Sequence, residues 1–222
     1  MDAGNPLGNN GIMKHLERLK KMVTLAAKME WMAKDPFERY QLKFQKMERE
    51  FLTEEELALL ENTLLPKNKL NRARDLFIFS CYTGLSYIDL VNLTSSIICI
   101  GVDGEYWIKT ARQKTEIPVN VPLLPQAFRL IEKYRHDPVV ANQRRPLPYL
   151  SNQKLNAYLK EIAIISKIEK YLNFHLARHT FSTTVTLANG VPLETVSKML
   201  GHTKINTTQI YVHVLEKKTA RI

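Results

Sequence analysis

The chain has 222 residues, enough for one ordinary domain with part of a second. Its 32 Lys and Arg against 22 Asp and Glu leave a net charge of +10, which favours a polyanionic partner, most often nucleic acid. With 45% hydrophobic and 24% charged residues, a normal core forms and wholesale disorder is excluded. No apolar run approaches the roughly 18 residues of a membrane span. Cys81 and Cys99 lie in apolar runs without CxxC spacing, which argues against a disulfide framework or a cysteine zinc site and suits a reducing, cytoplasmic setting.

Residues 1–12, rich in Gly, Asn and Pro, read as a flexible leader. Leu16, Leu19, Val23 and Ala26 recur at helical spacing and predict an amphipathic helix over 13–32, with Arg18, Lys20, Lys21 and Lys28 on its outer side. Such charges usually mark a solvated face. Asp35-Pro36 ends the helix, and 34–50 reads as a charged linker. Thr53 with Glu56 fits a capping box, and Leu57, Leu59 and Leu60 begin a buried face. Pro66 and Asn68 stop that helix. Residues 72–82, with Leu76, Phe77, Ile78 and Phe79, read as a buried helix that Thr83-Gly84 interrupts. A short helix follows over 87–93, with Ser86 and Asp89 spaced as its capping box. Three strands are predicted over 97–100, 106–110 and 117–121, joined by turns at Asp103-Gly104 and at the basic stretch 111–115. Helices resume over 125–134, 151–166, 176–188, 193–200 and 206–212. The expected architecture is mostly helical with one small three-stranded antiparallel sheet, an α+β fold.

The last third concentrates polar chemistry in apolar helices: His175-Leu-Ala-Arg178-His179, then Leu200-Gly201-His202, then Tyr211. His175 and Arg178 are three residues apart and share a helical face. Gly201 ends a helix and leaves His202 just beyond it. Phosphoryl transfer spreads negative charge over non-bridging oxygens, where arginine donates two fixed N–H bonds that lysine cannot imitate. A phenol attacks near neutral pH only with proton acceptance or positive charge nearby, and a neutral imidazole supplies the former. His175 and His179 also have the i, i+4 spacing of helical metal ligands, but Leu176 stands where the metalloprotease pattern needs Glu. His179 therefore reads as a structural residue bonded within its own helix neighbourhood.

His-x-x-Arg, Leu-Gly-His and a Tyr after Thr-Thr-x-x resemble the catalytic domain of the tyrosine recombinases, the phage-integrase family. Leu200-Gly-His-Thr-Lys-Ile-Asn-Thr-Thr-Gln-Ile-Tyr211-Val-His213 is the most specific phrase, and Phe79 to Leu90 resembles the family's first motif. The character is similar to integrases of mobile elements in Bacteroides-like bacteria. The resemblance implies a catalytic domain over 46–222 and the last helix and linker of a core-DNA-binding domain over 13–45. It further implies that Tyr211 forms a 3′-phosphotyrosyl link, Arg178 clamps the phosphate, His175 assists proton movement at Tyr211 and His202 contacts the phosphate. Lys114, in Gln113-Lys114-Thr115, matches the family's general acid, with Lys109 as its rival. Neither metal nor ATP nor any other cofactor is implied. The implied partner is double-stranded DNA, bound by a homotetramer. Lys20, Lys21, Lys28 and Lys109 are the expected DNA contacts. The chain stops 11 residues after Tyr211, which reads as a fragment that could be monomeric alone.

One departure stands out. Ser86 occupies the place where the first motif carries Arg. Arg112 is the candidate substitute, because in extended backbone it would share a side of the hairpin with Lys114. Arg72 and Arg74 are weaker candidates. The rival readings are a catalytically impaired DNA-binding module and an enzyme like the type IB topoisomerases.

Overall fold

The computed structural model describes residues 7–45, 49–141 and 145–219, without the side chains of 139, 141 and 213–219. The chain divides into two compact units, Met1–Glu48 and Arg49–Ile222.

In the first unit, helix α1 spans Asn9–Lys28, starting and ending four residues earlier than expected. Its end is set by the return of the chain. Thr24 donates to Asp35 Oδ2 at 2.7 Å, and Asp35 Oδ1 accepts from the Phe37 amide at 2.8 Å. No residue of α1 is buried.

In the second unit, α2 (Glu54–Asn62) opens with the predicted capping box. Thr53 Oγ1 accepts from the Glu56 amide, and the Glu56 carboxylate accepts from the Thr53 amide. Leu57 and Leu60 are buried, whereas Leu59 points outward at 49% exposure, since it lies about 100° round the helix from Leu60. Helix α3 (Asn68–Thr83) is the central element, with Leu76, Phe77, Ile78 and Phe79 all buried. Inside it, the buried Asp75 carboxylate accepts from Lys133 Nζ at 2.5 Å, Tyr134 Oη at 2.8 Å and Arg74 Nε at 3.3 Å. A buried carboxylate is tolerated only with such partners, and this one ties α3 to α5 (Pro125–Tyr134). Arg74 is thus committed to Asp75 and the Thr63 carbonyl, and Arg72 to Asp137, which removes both as substitutes for a motif-one arginine.

Gly84 ends α3 with φ +68°, and α4 (Tyr87–Val91) starts directly after it. Ser86 caps α4: its Oγ accepts from the Asp89 amide and donates to Asp89 Oδ2 at 2.6 Å. Strands β1 (Ile98–Ile100), β2 (Tyr106–Ala111) and β3 (Pro118–Pro122) form an antiparallel sheet in that order, with Ile108 opposite Ile98 and Val121. After α5 come α6 (Pro138–Ala141), which the sequence pattern did not predict, and α7 (Asn152–Ile165), capped by Ser151 as expected.

The helix predicted over 176–188 is α8 (Phe174–Thr180), capped by Asn173, followed by a π-helical stretch, Phe181–Thr186, and a 3₁₀ turn, Leu187–Asn189. A run of hydroxyls accompanies the change. Thr180, Ser182, Thr183 and Thr186 each donate to a carbonyl four residues back, which competes with the helix ladder. Helices α9 (Leu193–Met199) and α10 (Asn206–Thr219) complete the unit. The main core surrounds α3, α7 and α8. A smaller cluster of Val119, Val121, Phe181, Val196 and Leu200 packs around Tyr211.

Gly84 meets two constraints: its positive φ, and a Cβ position only 2.4 Å from the Phe181 ring. Gly84→Ala is expected to cost roughly 2–4 kcal/mol from left-handed strain plus overpacking, read as a lower urea midpoint with an unchanged m-value.

Candidate active site

Arg178 is the anchor. It projects from α8 into a position only 4% exposed. Its guanidinium donates to the Gly84 carbonyl at 2.6 Å and to the Leu200 carbonyl. Those carbonyls belong to the ends of α3 and α9, where partial negative charge gathers. Burial and the charge of Arg112 push the Arg178 pKa down to about 10, and Tyr211 and Asp89 oppose the shift, so the group stays charged at neutral pH.

On one side of Arg178 opens a cleft of about 430 Å³ lined by Ser86, Tyr87, Asn156, Asn173 and His175. On the other is a gap of about 10 Å³, shared with Arg112, Asp89 and Thr110, with room for no more than a water molecule. Arg112 Nη1 donates to the Gly201 carbonyl at 3.1 Å, while its Nε is buried without a partner. Gly201 has φ +59°, and a Cβ there would meet Val119 Cγ2 at 2.8 Å and the Arg112 stem at 3.2 Å, so glycine lets the arginine lie against the end of α9.

Arg112 reaches this place by a different route from the one expected. It follows β2, and 113–115 form a turn, so the period-two argument linking it to Lys114 does not hold. The turn is fixed from both flanks: Asp89 Oδ1 accepts from the Gln113 amide at 3.1 Å, and Thr115 Oγ1 donates to the Gly201 carbonyl at 3.3 Å. Lys114 sits exposed on this turn. Lys109 is exposed on β2, opposite Asn120. Lys20, Lys21 and Lys28 lie on α1 of the other unit. There Lys20 donates to the Tyr40 carbonyl at 2.7 Å and Lys21 pairs with Glu17 at 3.4 Å.

Tyr211, on α10, is 2% exposed. Its hydroxyl meets His179 Nδ1 at 3.0 Å. The expectation that His179 bonds within its own helix neighbourhood is therefore corrected: its side-chain partner lies 32 residues away. The expected proton partner, His175, instead packs edge to face on the His179 ring, with centroids 4.4 Å apart. Sequence spacing brought both imidazoles to one helical face, but only the fold decides which of them meets α10. His202 Nδ1 pairs with the buried Thr208 hydroxyl at 2.8 Å. The side chain of His213 lies outside those described.

Sequence reading missed Arg49, assigned to the linker. Its guanidinium stands over the Tyr211 ring, 6.0 Å from the centroid. No motif signals it. Burial first, then the charges of Arg178, Arg49 and Arg112, hold the His175 pKa below its ordinary value. Burial followed by Arg178, Arg112 and Arg49 takes His202 to about 4. Burial and then His175, Arg49, Arg178 and His202 take His179 to about 3. All three imidazoles are thus neutral at pH 7.

The Phage integrase family model matches residues 50–218, and a phage integrase SAM-like domain model matches residues 1–55. The chain belongs to the phage integrase family. Tyrosine recombinase XerD of Halalkalibacterium halodurans is 33% identical over 177 residues, covering 75% of this chain and 58% of that protein. XerD of Staphylococcus epidermidis is 24% identical over 222 residues, covering 96% of this chain and 75% of its own length. Among solved structures, a lambda integrase dimer bound to a COC′ core site aligns with TM-score 0.67 at 16% identity, covering 87% of this chain and 69% of that one. The Tn1549 transposon integrase in complex with a circular-intermediate DNA aligns with TM-score 0.66 at 16% identity, covering 97% and 80%. These likenesses place the fold among the tyrosine recombinase catalytic domains. Among the described residues no helix is long and apolar enough to cross a membrane.

The depressed imidazoles set a pH dependence. An unfolded histidine takes up its proton near pH 6.5, whereas folded His202 and His179 resist protonation down to about 4 and about 3. Below pH 6.5 the unfolded state therefore binds more protons, and stability falls as pH drops from about 6.5 towards 4. Urea titrations at stepped pH should record that fall, and His202→Gln should make it shallower.

Proposed function

We propose that this chain is the catalytic portion of a site-specific DNA recombinase, the integrase of a mobile genetic element. The observation that carries the reading is a cluster of three arginines by one tyrosine, with Arg49 over the Tyr211 ring and Arg112 and Arg178 lining one small gap. None of the three makes an ion pair among the described residues, and Arg112 Nε is buried without a partner. Like charges so gathered require an anion, and a backbone phosphate of double-stranded DNA has the charge and the acceptor oxygens to use them.

In this reading Tyr211 Oη attacks the scissile phosphorus, forming a 3′-phosphotyrosyl ester, and the P–O5′ electron pair leaves on the 5′ oxygen. Lys114 protonates that oxygen from the hairpin turn. Arg178 and Arg112 hold the non-bridging oxygens, with Arg112 taking over from Ser86, which is occupied as the cap of α4. His202 contacts the same phosphate. The reverse attack by another strand's 5′ hydroxyl completes exchange, and the ester conserves the bond energy, so neither ATP nor metal enters. Residues 13–45 are read as the end of a core-binding domain, with Lys20, Lys21 and Lys28 on phosphates, Lys109 contacting DNA from β2, and four copies acting on two duplexes. The matches to DNA-bound lambda and Tn1549 integrases support this reading.

A nicked suicide duplex should trap a covalent protein–DNA adduct that Tyr211→Phe abolishes. Absence of any adduct would favour a binding module of the same fold.

Arg112→Ala should slow adduct formation by about 10²–10³, the usual cost of one preorganised donor. Ser86→Arg in that background should recover part of the rate. Wild-type rate in Arg112→Ala would remove Arg112 from the machinery.

A further inference from the structure

We propose that His179, rather than His175, is the partner of the nucleophile: its Nδ1 accepts the Tyr211 hydroxyl hydrogen and fixes the position of Oη before DNA is cut. The inference rests on the reading of Tyr211 as nucleophile.

Tyr211 packs among Val119, Val121, Phe181, Val196 and Leu200, where a phenol hydroxyl left unpaired would be costly. Among the described residues, its side-chain hydrogen-bond partner is His179, at 3.0 Å. His179 is itself 7% exposed and fixed from three directions. Its own turn is braced by Thr183, whose hydroxyl donates to the His179 carbonyl at 2.7 Å. The His175 ring packs against one side of it, and the Tyr211 ring lies 5.3 Å away on the other. An imidazole so enclosed has no freedom to swing, so the hydroxyl it holds is placed as firmly as α8 itself.

The charges around the pair define what His179 does. Facing it are His175 from α8, Arg178 from the same helix, Arg49 from the chain entering the unit, and His202 from beyond α9; no carboxylate is among them. Burial first, and then these groups, oppose a proton on the ring. His179 thus stays neutral and acts as an acceptor with its proton on Nε2, orienting the phenol rather than taking its hydrogen away in the DNA-free protein. One turn of α8 then carries two tasks: Arg178 faces the phosphate and His179 faces the attacking oxygen.

Asparagine places its Oδ1 where the histidine Nδ1 lies, whereas glutamine extends past it, so the two variants separate the hydrogen bond from the bulk of the side chain. With negatively supercoiled plasmid as substrate, His179→Gln should lower Tyr211-dependent nicking on the order of 10²-fold, and His179→Asn should stay within about tenfold of wild type by the same reasoning. Hydrogen peroxide supplied to Tyr211→Phe offers a diffusible nucleophile: its oxygen bonds to phosphorus and the 5′ oxygen leaves with the electron pair, as before. Adding His179→Gln in that background should leave peroxide-driven nicking unchanged. Equal losses in Asn and Gln, or a parallel loss with peroxide, would overturn the assignment. In the DNA-free chain, the ¹⁵N resonance of His179 Nδ1 should shift on Tyr211→Phe; an unmoved resonance would also overturn it. If the wild type never nicks plasmid, the strand-transfer reading fails, while the nitrogen resonance still decides the His179–Tyr211 pair.

Discussion

Arg178 sets the terms for the rest of the catalytic unit. A guanidinium at 4% exposure is stable only if its donors are met, and the most direct solution would be a carboxylate. The fold instead supplies two backbone carbonyls, those of Gly84 and Leu200, at the C-terminal ends of α3 and α9. Helix ends carry only fractional negative charge. They satisfy the geometry of the donors without neutralising the cation, so the positive field survives burial. A carboxylate would have fixed the arginine equally well and cancelled the charge that its proposed role toward phosphate requires.

The same choice explains the unusual electrostatics nearby. Asp89 lines the small gap beside Arg112 and Arg178, and it is engaged elsewhere, accepting from Ser86 Oγ and the Gln113 amide. It braces the hairpin turn instead of pairing with an arginine. Burial first, and then the uncancelled cations, hold the pKa values of His175, His179 and His202 below their ordinary value. An arriving phosphate would offset part of that positive field and ease protonation of those rings, so proton affinity and anion binding are coupled in this site by Coulomb's law.

Much of this was legible in the sequence, and the legible parts share a feature: their physics is local. The Thr53–Glu56 box, the Ser86 cap, the stop at Gly84 and the three strands depend on neighbours within a few residues. The concentration of His175, Arg178, His202 and Tyr211 was legible because their side-chain chemistry fits one reaction. What failed depended on distant geometry. Which imidazole meets Tyr211 is decided by how α10 crosses α8. The alliance of Arg112 with Arg178 was anticipated for a wrong reason, because 113–115 turn instead of extending. Leu59 was counted into a buried face by its hydrophobicity, although its angular position excludes it. Arg49 carried no pattern at all, and only the fold brings it over the Tyr211 ring.

In the proposed reading, a cation on the hairpin in place of one at position 86 alters more than the address of a charge. A side chain at position 86 would issue from the first turn of α4, a rigid helix end. Arg112 immediately precedes a turn held by Asp89 at the Gln113 amide and by the Gly201 carbonyl at the Thr115 hydroxyl. Lys114 occupies that same turn, so any displacement of it moves the proposed phosphate clamp and the proposed acid together. Gly201 also receives the Arg112 guanidinium at its carbonyl and immediately precedes His202, which joins the end of α9 to the same fate. The three groups proposed to act on one phosphate, Arg112, Lys114 and His202, therefore share one mechanical support, and its two pins, a carboxylate and a glycine carbonyl, are as necessary to the proposed site as the side chains that would touch DNA.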